Sequence, residues 1–334
     1  MHSTAVGPHT TREWHPWSNR QVAEHIVHWD EVEGERAEEG AFRSTWTNLG
    51  RAAGTVTVGV NRVQVDPGAR STPLHMEGAE EEIFFVLAGS GLSWQDDGDG
   101  ERTYEIRAGD CLVHLAGAEA HSVVAGAEGI DYLAFGTRAK AEYAFFPRLK
   151  AGRMGMLWAE MIETHQWKQE LALGDPELPE PSPRPQRIVN VDELEEEDWG
   201  QGDVLVHGRD LGIAAGSVLT GINYNRLEPA MLSAPPHCHS VEEEIFVILD
   251  GTGKALLGEE EHPVNRGHVI ARPAATRIAH AFRAGEGGLT MLAYGTRDRG
   301  ADIVYYPRSN KTYFRGVGVM IRAERLDYWD GEED

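Results

Sequence analysis

The chain has 334 residues, 41% of them hydrophobic, and a formal net charge of −23. That length suits two domains of ordinary size, each able to bury a core of its own. So negative a field repels phosphate backbones and anionic membranes, which argues against a nucleic-acid partner. No apolar stretch approaches the roughly 18 to 20 residues of a membrane span.

In chain order, residues 1–24 lack apolar periodicity and read as a tail without the apolar core of a secretory signal. β-Branched residues crowd Thr55 to Val65, and Ile83 to Leu87 is bulky and apolar before Gly89 and Gly91; both read as strands. Helix signals are local and best at Gly155 to Leu171. Five prolines between Gly174 and Gln186 preclude regular hydrogen bonding and mark a linker. The acidic run Glu195 to Asp198 reads as a solvated face, and strands return at Ser217 to Leu227, Ile245 to Leu249, Val269 to Arg272 and Leu289 to Tyr294. The closing residues, Gly331 to Asp334, look peripheral. Many short strands with glycine and proline punctuation indicate an all-β sandwich or barrel, and a jelly roll can hold a ligand or metal between its sheets. The expected division is 25–173, linker 174–186, and 187–334. Two cysteines, Cys111 and Cys238, cannot form a disulfide framework and read as free thiols in a reducing cytoplasm.

The chain also overlays itself. Residues 26–89 match 188–251 without a gap at a shift of 162, which carries His75 onto His237, Glu80-Glu81-Glu82 onto Glu242-Glu243-Glu244, and Gly89 onto Gly251. A slightly smaller shift restores the match downstream, pairing His121 with His280, Gly136-Thr137-Arg138 with Gly295-Thr296-Arg297, and Pro147-Arg148 with Pro307-Arg308. A period this long means two copies of one domain rather than a solenoid.

Within the second copy, His237-Cys238-His239 is followed five residues later by Glu244. In an extended strand the two histidines face the same way and Cys238 the other. A strand reversal can bring Glu244 beside them, and Gly251 would close the next turn. Two imidazoles and a carboxylate on rigid strands make an open site for a divalent transition metal.

These residues resemble the first motif of the cupin superfamily, and the whole chain resembles a bicupin. The resemblance implies two tandem double-stranded β-helix barrels. It implies His237, His239, Glu244 and His280 as metal ligands of the second domain, His280 being supported also by its repeat partner His121 and its apolar strand Ile278 to Phe282. The second motif fits loosely: Pro273 is present, but the glycine that should follow is missing and the gap to the histidine is longer. In the first domain His75, Glu82 and His121 take the expected places, while Glu77 replaces the second histidine. Such a two-histidine, two-carboxylate set is harder and more negative. The implied cofactor is a divalent transition metal, iron, manganese, zinc or nickel.

The remaining residues have plainer readings. Glu80, Glu81, Glu242 and Glu243 read as solvated tips of the turn before the ligand glutamate. His114 and its counterpart Arg272 read as surface or satisfied core groups, with a role in holding an anionic substrate as the alternative. The duplicated Gly-Thr-Arg triplets read as architecture. Cupins include dioxygenases, decarboxylases, isomerases, storage proteins and sugar sensors. The expectation is therefore a small-molecule oxygenase or related metal-dependent lyase, with a non-redox sugar isomerase or epimerase, or a binding or storage module, as alternatives. An oxalate-specialised bicupin is disfavoured, because the first site lacks three histidines. The partner is a small molecule. The two copies are expected to pack face to face, mimicking the dimer of single-domain cupins, and a homodimer of the whole chain is compatible with this.

Overall fold

The computed structural model describes residues 25–154, 157–158, 165–324, 326 and 329–332. The expected N-terminal tail lies outside them. The first half is built on an eight-stranded antiparallel sheet. Its order is Ile188–Asn190, Asp110–His114, Glu82–Asp96, Ala120–Thr137, Val58–Val65, Phe42–Asn48 and Glu35–Glu39, with Glu101–Arg107 paired on Glu82–Asp96. The second repeats it in the order Ile26–His28, His268–Arg272, Glu244–Leu257, His280–Thr296, Thr220–Leu227, Val204–Asp210 and Glu197–Gln201, with Glu260–Asn265 on Glu244–Leu257. A four-stranded sheet completes each half: Met76–Glu77, Tyr143–Phe146, Ala151–Met154 and Leu157–Trp158 in the first, and Cys238–His239, Ile303–Tyr306, Lys311–Phe314 and Val319–Arg322 in the second. Each half is a double-stranded β-helix, and the protein is all-β with a few short helices.

Two expectations about elements need correction. Gly89 and Gly251 do not end their strands. Glu82–Asp96 and Glu244–Leu257 run through them, with register shifts at Val86/Ala88 and Gly89/Gly91, and at Ile248/Asp250 and Gly251/Gly253. These bulges bend a long hairpin over itself, which is how one strand serves both walls of a barrel. Glycine is required there, since a Cβ on Gly89 or Gly251 would lie 2.3 Å from a carbonyl oxygen and φ is about +80° at both (+81° and +79°). The helix expected over Gly155 to Leu171 is confined to Gln166–Ala172, and Leu157–Trp158 is a strand paired with Ala151–Met154; residues 155–156 and 159–164 of that span lie outside the described residues.

The halves exchange strands. Ile26–His28, from the start of the first repeat, pairs with His268–Arg272 of the second, and Ile188–Asn190 pairs with Asp110–His114 of the first. One apolar core spans the contact, holding Leu49, Phe135, Leu211, Ile245 and Tyr294, and the rings of Phe135 and Tyr294 sit 4.8 Å apart. The proline-rich stretch is fastened to the first half: Ser182 N–H donates to the Thr103 carbonyl (2.7 Å), and Arg184 pairs with Asp110 (2.5 Å).

The acidic triplets are not solvated tips. Glu81 and Glu243 are 0% and 1% exposed, and Glu242 is 5% exposed. The Glu81 carboxylate accepts the N–H groups of Val218 (2.7 Å), Leu219 (3.1 Å) and Thr220 (3.0 Å) and the hydroxyls of Ser217 and Thr220. Glu243 reciprocates, accepting from the N–H groups of Val56 (2.8 Å), Thr57 (2.5 Å) and Val58 (3.1 Å) and the Thr57 hydroxyl. Ser217 to Thr220 and Thr55 to Val58 are the same loop in the two repeats, so each half clamps the other. Among the described residues, no helix is long and apolar enough to cross a membrane.

Candidate metal centre

In the second half the structure brings His237, His239, Glu244 and His280 together. His237 precedes the two-residue strand Cys238–His239 and is tied to His280 by paired backbone bonds (3.2 and 2.8 Å). Its Nδ1–H donates to the Pro235 carbonyl (2.9 Å), which leaves Nε2 with its lone pair. Glu244 opens Glu244–Leu257, and its register partners are Gly295 and Arg272. The His237 ring lies 5.1 Å from that of His239 and 4.6 Å from that of His280. Glu244 Oε2 is 2.8 Å from His280 Nε2 and 3.5 Å from His239 Nε2. None of these three atoms has a hydrogen-bond partner, although all are buried. The 2.8 Å approach is therefore close without being aligned as a hydrogen bond.

Buried polar atoms left unsatisfied cost on the order of 1–3 kcal/mol each, so three at one point suggest a group that accepts lone pairs from all of them. A divalent cation fits that donor set. The charge states fit too. Burial pushes His280 down to about 3 and also lowers His237, so both rings are neutral near pH 7. Burial alone would raise Glu244, but the surrounding imidazoles outweigh it and hold the carboxyl well below its usual range. On His239 burial opposes the charge, and the hydrogen bond to Asp302 with the Glu244 carboxylate outweighs it, raising that ring.

In the first half His75, Glu82 and His121 also converge, with rings of His75 and His121 5.0 Å apart, and Glu77 lies 3.4 Å from His75 Nε2. Here one pair is bonded, His121 Nε2 and Glu82 Oε2 at 2.9 Å, while His121 Nδ1 is buried without a partner. Beneath His121, the buried His114 ring stacks at 4.0 Å and 15°, and its Nδ1 bonds to Glu119 (3.2 Å). Its counterpart Arg272 is also buried, on the same sheet face as Glu244. One nitrogen, Nη2, reaches Thr276 Oγ1 (3.3 Å) and the Ile278 carbonyl (3.1 Å), while Nε and Nη1 are buried without partners. Burial lowers this guanidinium to about 10, where it is still charged at neutral pH. Cys111 is buried and Cys238 half-buried, both as free thiols.

Sequence reasoning missed three residues around the second centre. Asp302 binds His239 Nδ1 (2.7 Å), Tyr306 stacks on His237 (5.6 Å), and Arg315 reaches Asp302 and Glu242. One signal was available: an acid precedes the aligned Pro-Arg pair by five residues in both repeats, Glu142 and Asp302.

The family model described as the cupin domain matches residues 61–130 and again 224–293. The chain belongs to the cupin superfamily and is a bicupin. None of the curated proteins matches it. Solved structures do. A deletion mutant of Bacillus subtilis oxalate decarboxylase is 15% identical with a TM-score of 0.58, over 83% of this chain and 78% of that one. A structure of the same enzyme, from work on its Mn(II) centers, is 16% identical with a TM-score of 0.57, over 83% and 78%. The Lactobacillus farciminis oxalate decarboxylase formate complex is 15% identical with a TM-score of 0.56, over 83% and 87%. At these identities the likeness establishes the fold.

Proposed function

We propose that the second half holds one divalent transition metal on His237, His239, Glu244 and His280, and that the protein acts there on a small carboxylate as an oxygenase or a related lyase. The observation that carries this reading is the coincidence of two unsatisfied sets, the three ligand atoms without partners and, beside them, Arg272 Nε and Nη1. A cation answers the first set and a carboxylate the second, since a guanidinium pairs with a carboxylate through strong charge-assisted bonds. When bound, the metal supplies Lewis acidity and a template for a second ligand. Arg272 then fixes which end of the substrate faces the ligands, and Phe246, packed 5.4 Å from the His280 ring, keeps that wall apolar. The presence of Mn(II) in a fold neighbour that is a decarboxylase is in keeping with this reading. The first half has no counterpart of the Arg272 guanidinium, and its His121 Nε2 and Glu82 Oε2 are already bonded to each other, so chemistry is assigned to the second half alone.

The test is elemental analysis of the purified protein beside His237→Ala and His75→Ala, followed by thermal shifts with small mono- and dicarboxylates. One metal equivalent should be lost in His237→Ala alone. A carboxylate at about 100 times its dissociation constant should add about 2.7 kcal/mol of stability, and Arg272→Met should abolish that gain. Full metal in both variants, or none in the wild type, would refute the assignment. Oxygen uptake by the loaded protein distinguishes an oxygenase from a lyase.

A further inference from the structure

The small sheet that carries His239 also carries a network that the proposed ligand set does not include. Asp302 immediately precedes Ile303–Tyr306, the strand that pairs with Cys238–His239, and is 1% exposed. Its two oxygens have separate partners. Oδ1 accepts the N–H groups of Val241 (3.1 Å) and Glu242 (3.3 Å) and the Ser240 hydroxyl (3.4 Å), capping the turn that leads to Glu244. Oδ2 accepts from His239 Nδ1 (2.7 Å) and from Arg315 Nη1 (3.4 Å). An ionised carboxylate has no proton to give, so His239 must donate from Nδ1. That leaves Nε2, 3.5 Å from Glu244 Oε2, with its lone pair available to a metal.

The first half provides an internal control. Glu142 stands where Asp302 does and caps the same turn, but it directs both oxygens to it: Oε1 accepts from Gly78 N–H (2.8 Å) and Oε2 from Ala79 N–H (3.0 Å). The residue in the place of His239 there is Glu77, which has no N–H to offer. The turn cap is thus common to both halves, whereas the imidazole contact exists only where there is an imidazole to orient. His239, Glu242 and Asp302 also lie within 4.8 Å of one another. The Arg315 guanidinium already sits on both carboxylates, so that cluster has its cation.

We propose that Asp302 is a positioning residue for the second-half centre: it fixes the His239 ring and its tautomer, and through Arg315 it couples that orientation to the C-terminal strands Lys311–Phe314 and Val319–Arg322. This rests on the metal reading above. Ligand imidazoles held by a carboxylate on their second nitrogen are more basic and better aimed, and losing that partner typically costs about 10- to 100-fold in metal affinity.

The decisive variant is Asp302→Asn. Its oxygen can still cap the turn, but its amide then presents N–H to His239 Nδ1, two donors facing each other. The ring is driven to carry its proton on Nε2, the atom that should bind metal. Cobalt(II) affinity, measured by competition with a chelator, should fall about 10- to 100-fold, and the visible spectrum of bound cobalt should change. Asp302→Glu should recover part of the affinity, and Glu142→Gln should leave it unchanged. Nitrogen NMR of the metal-free wild type, with His239 assigned by its own substitution, supplies a readout that needs no folded Asp302 variant and should show the proton on Nδ1. A wild type that takes no cobalt at the His237-dependent site refutes the metal reading and with it this one. Asp302→Asn that binds cobalt as tightly as wild type with the same spectrum, or a wild-type ring protonated only on Nε2, refutes the role of Asp302 alone.

Discussion

Glu80 and Glu242 occupy equivalent places in the two repeats, and their surroundings set them apart. Glu242 meets the Arg315 guanidinium. Glu80 accepts the Ala139 N–H (2.7 Å) and has Glu142, Glu77 and Glu82 for neighbours. Burial, with those like charges, pushes its carboxyl from 4.5 up to about 7. The folded chain therefore binds this proton more tightly than the unfolded one. Between about pH 4.5 and 7 the native state holds more of it, so the slope of stability against pH is negative for this group. Its contribution is most favourable below that window and is lost as pH rises through it. Glu80→Gln keeps an acceptor for Ala139 and removes the charge. In chelator, its melting temperature should match wild type near pH 5 and exceed it above pH 7. A difference that does not vary with pH would show that Glu80 is ionised throughout.

At the level of elements, the turn between Met76–Glu77 and Glu82–Asp96, with its copy before Glu244–Leu257, joins the site to the contact between halves. Glu82 and Glu244 face the barrel interior, while the preceding Glu81 and Glu243 reach into the opposite half. Glu81→Ala would strip the acceptor from three N–H groups and two hydroxyls. Unsatisfied buried donors at about 1–3 kcal/mol each put the loss on the order of 3–5 kcal/mol, with Glu243→Ala similar and Glu81→Gln milder. Chemical denaturation measures this, and a cost below about 1 kcal/mol would mean the clamp is no stronger than a surface ion pair. The shared face of His237 and His239 was legible in the sequence because a strand's alternation is a local rule. The clamp was not. Three consecutive acids look like a solvated tip, and the loop that covers Glu81 lies 136 to 139 positions away. Asp302 was hidden for the same reason, 63 positions from the ring it holds. In the stretch Gly155 to Leu171, a two-residue strand, Leu157–Trp158, and the short helix Gln166–Ala172 leave too few turns for periodicity to separate them.

For the whole molecule, the self-overlay of the sequence announced two copies but not how they are joined. Ile26-Val27 and Ile188-Val189 match as equivalent strands, yet a shift in register reports likeness and says nothing of which sheet a strand enters. The exchange makes each sheet depend on a strand from the other repeat, and the core around Phe135 and Tyr294 belongs to both. Separate fragments 25–186 and 187–334 would each lose an edge strand and expose Leu49 and Phe135, or Leu211 and Tyr294, which are at most 1% exposed in the intact chain. Burying a large apolar side chain contributes about 1.5–3 kcal/mol, and a domain's net stability is only about 5–15 kcal/mol, so uncovering several such residues removes most of the margin. The buried clamp carboxylates would lose their donors at the same time. Each fragment alone is therefore expected to lack a cooperative thermal transition and to bind a hydrophobic dye. Mixing the two during refolding should restore a single sharp transition, together with the proposed metal site of the second half. If either fragment melts cooperatively on its own with native-like circular dichroism, then strand exchange follows from folding without being needed for it, and the halves are independent barrels that merely touch.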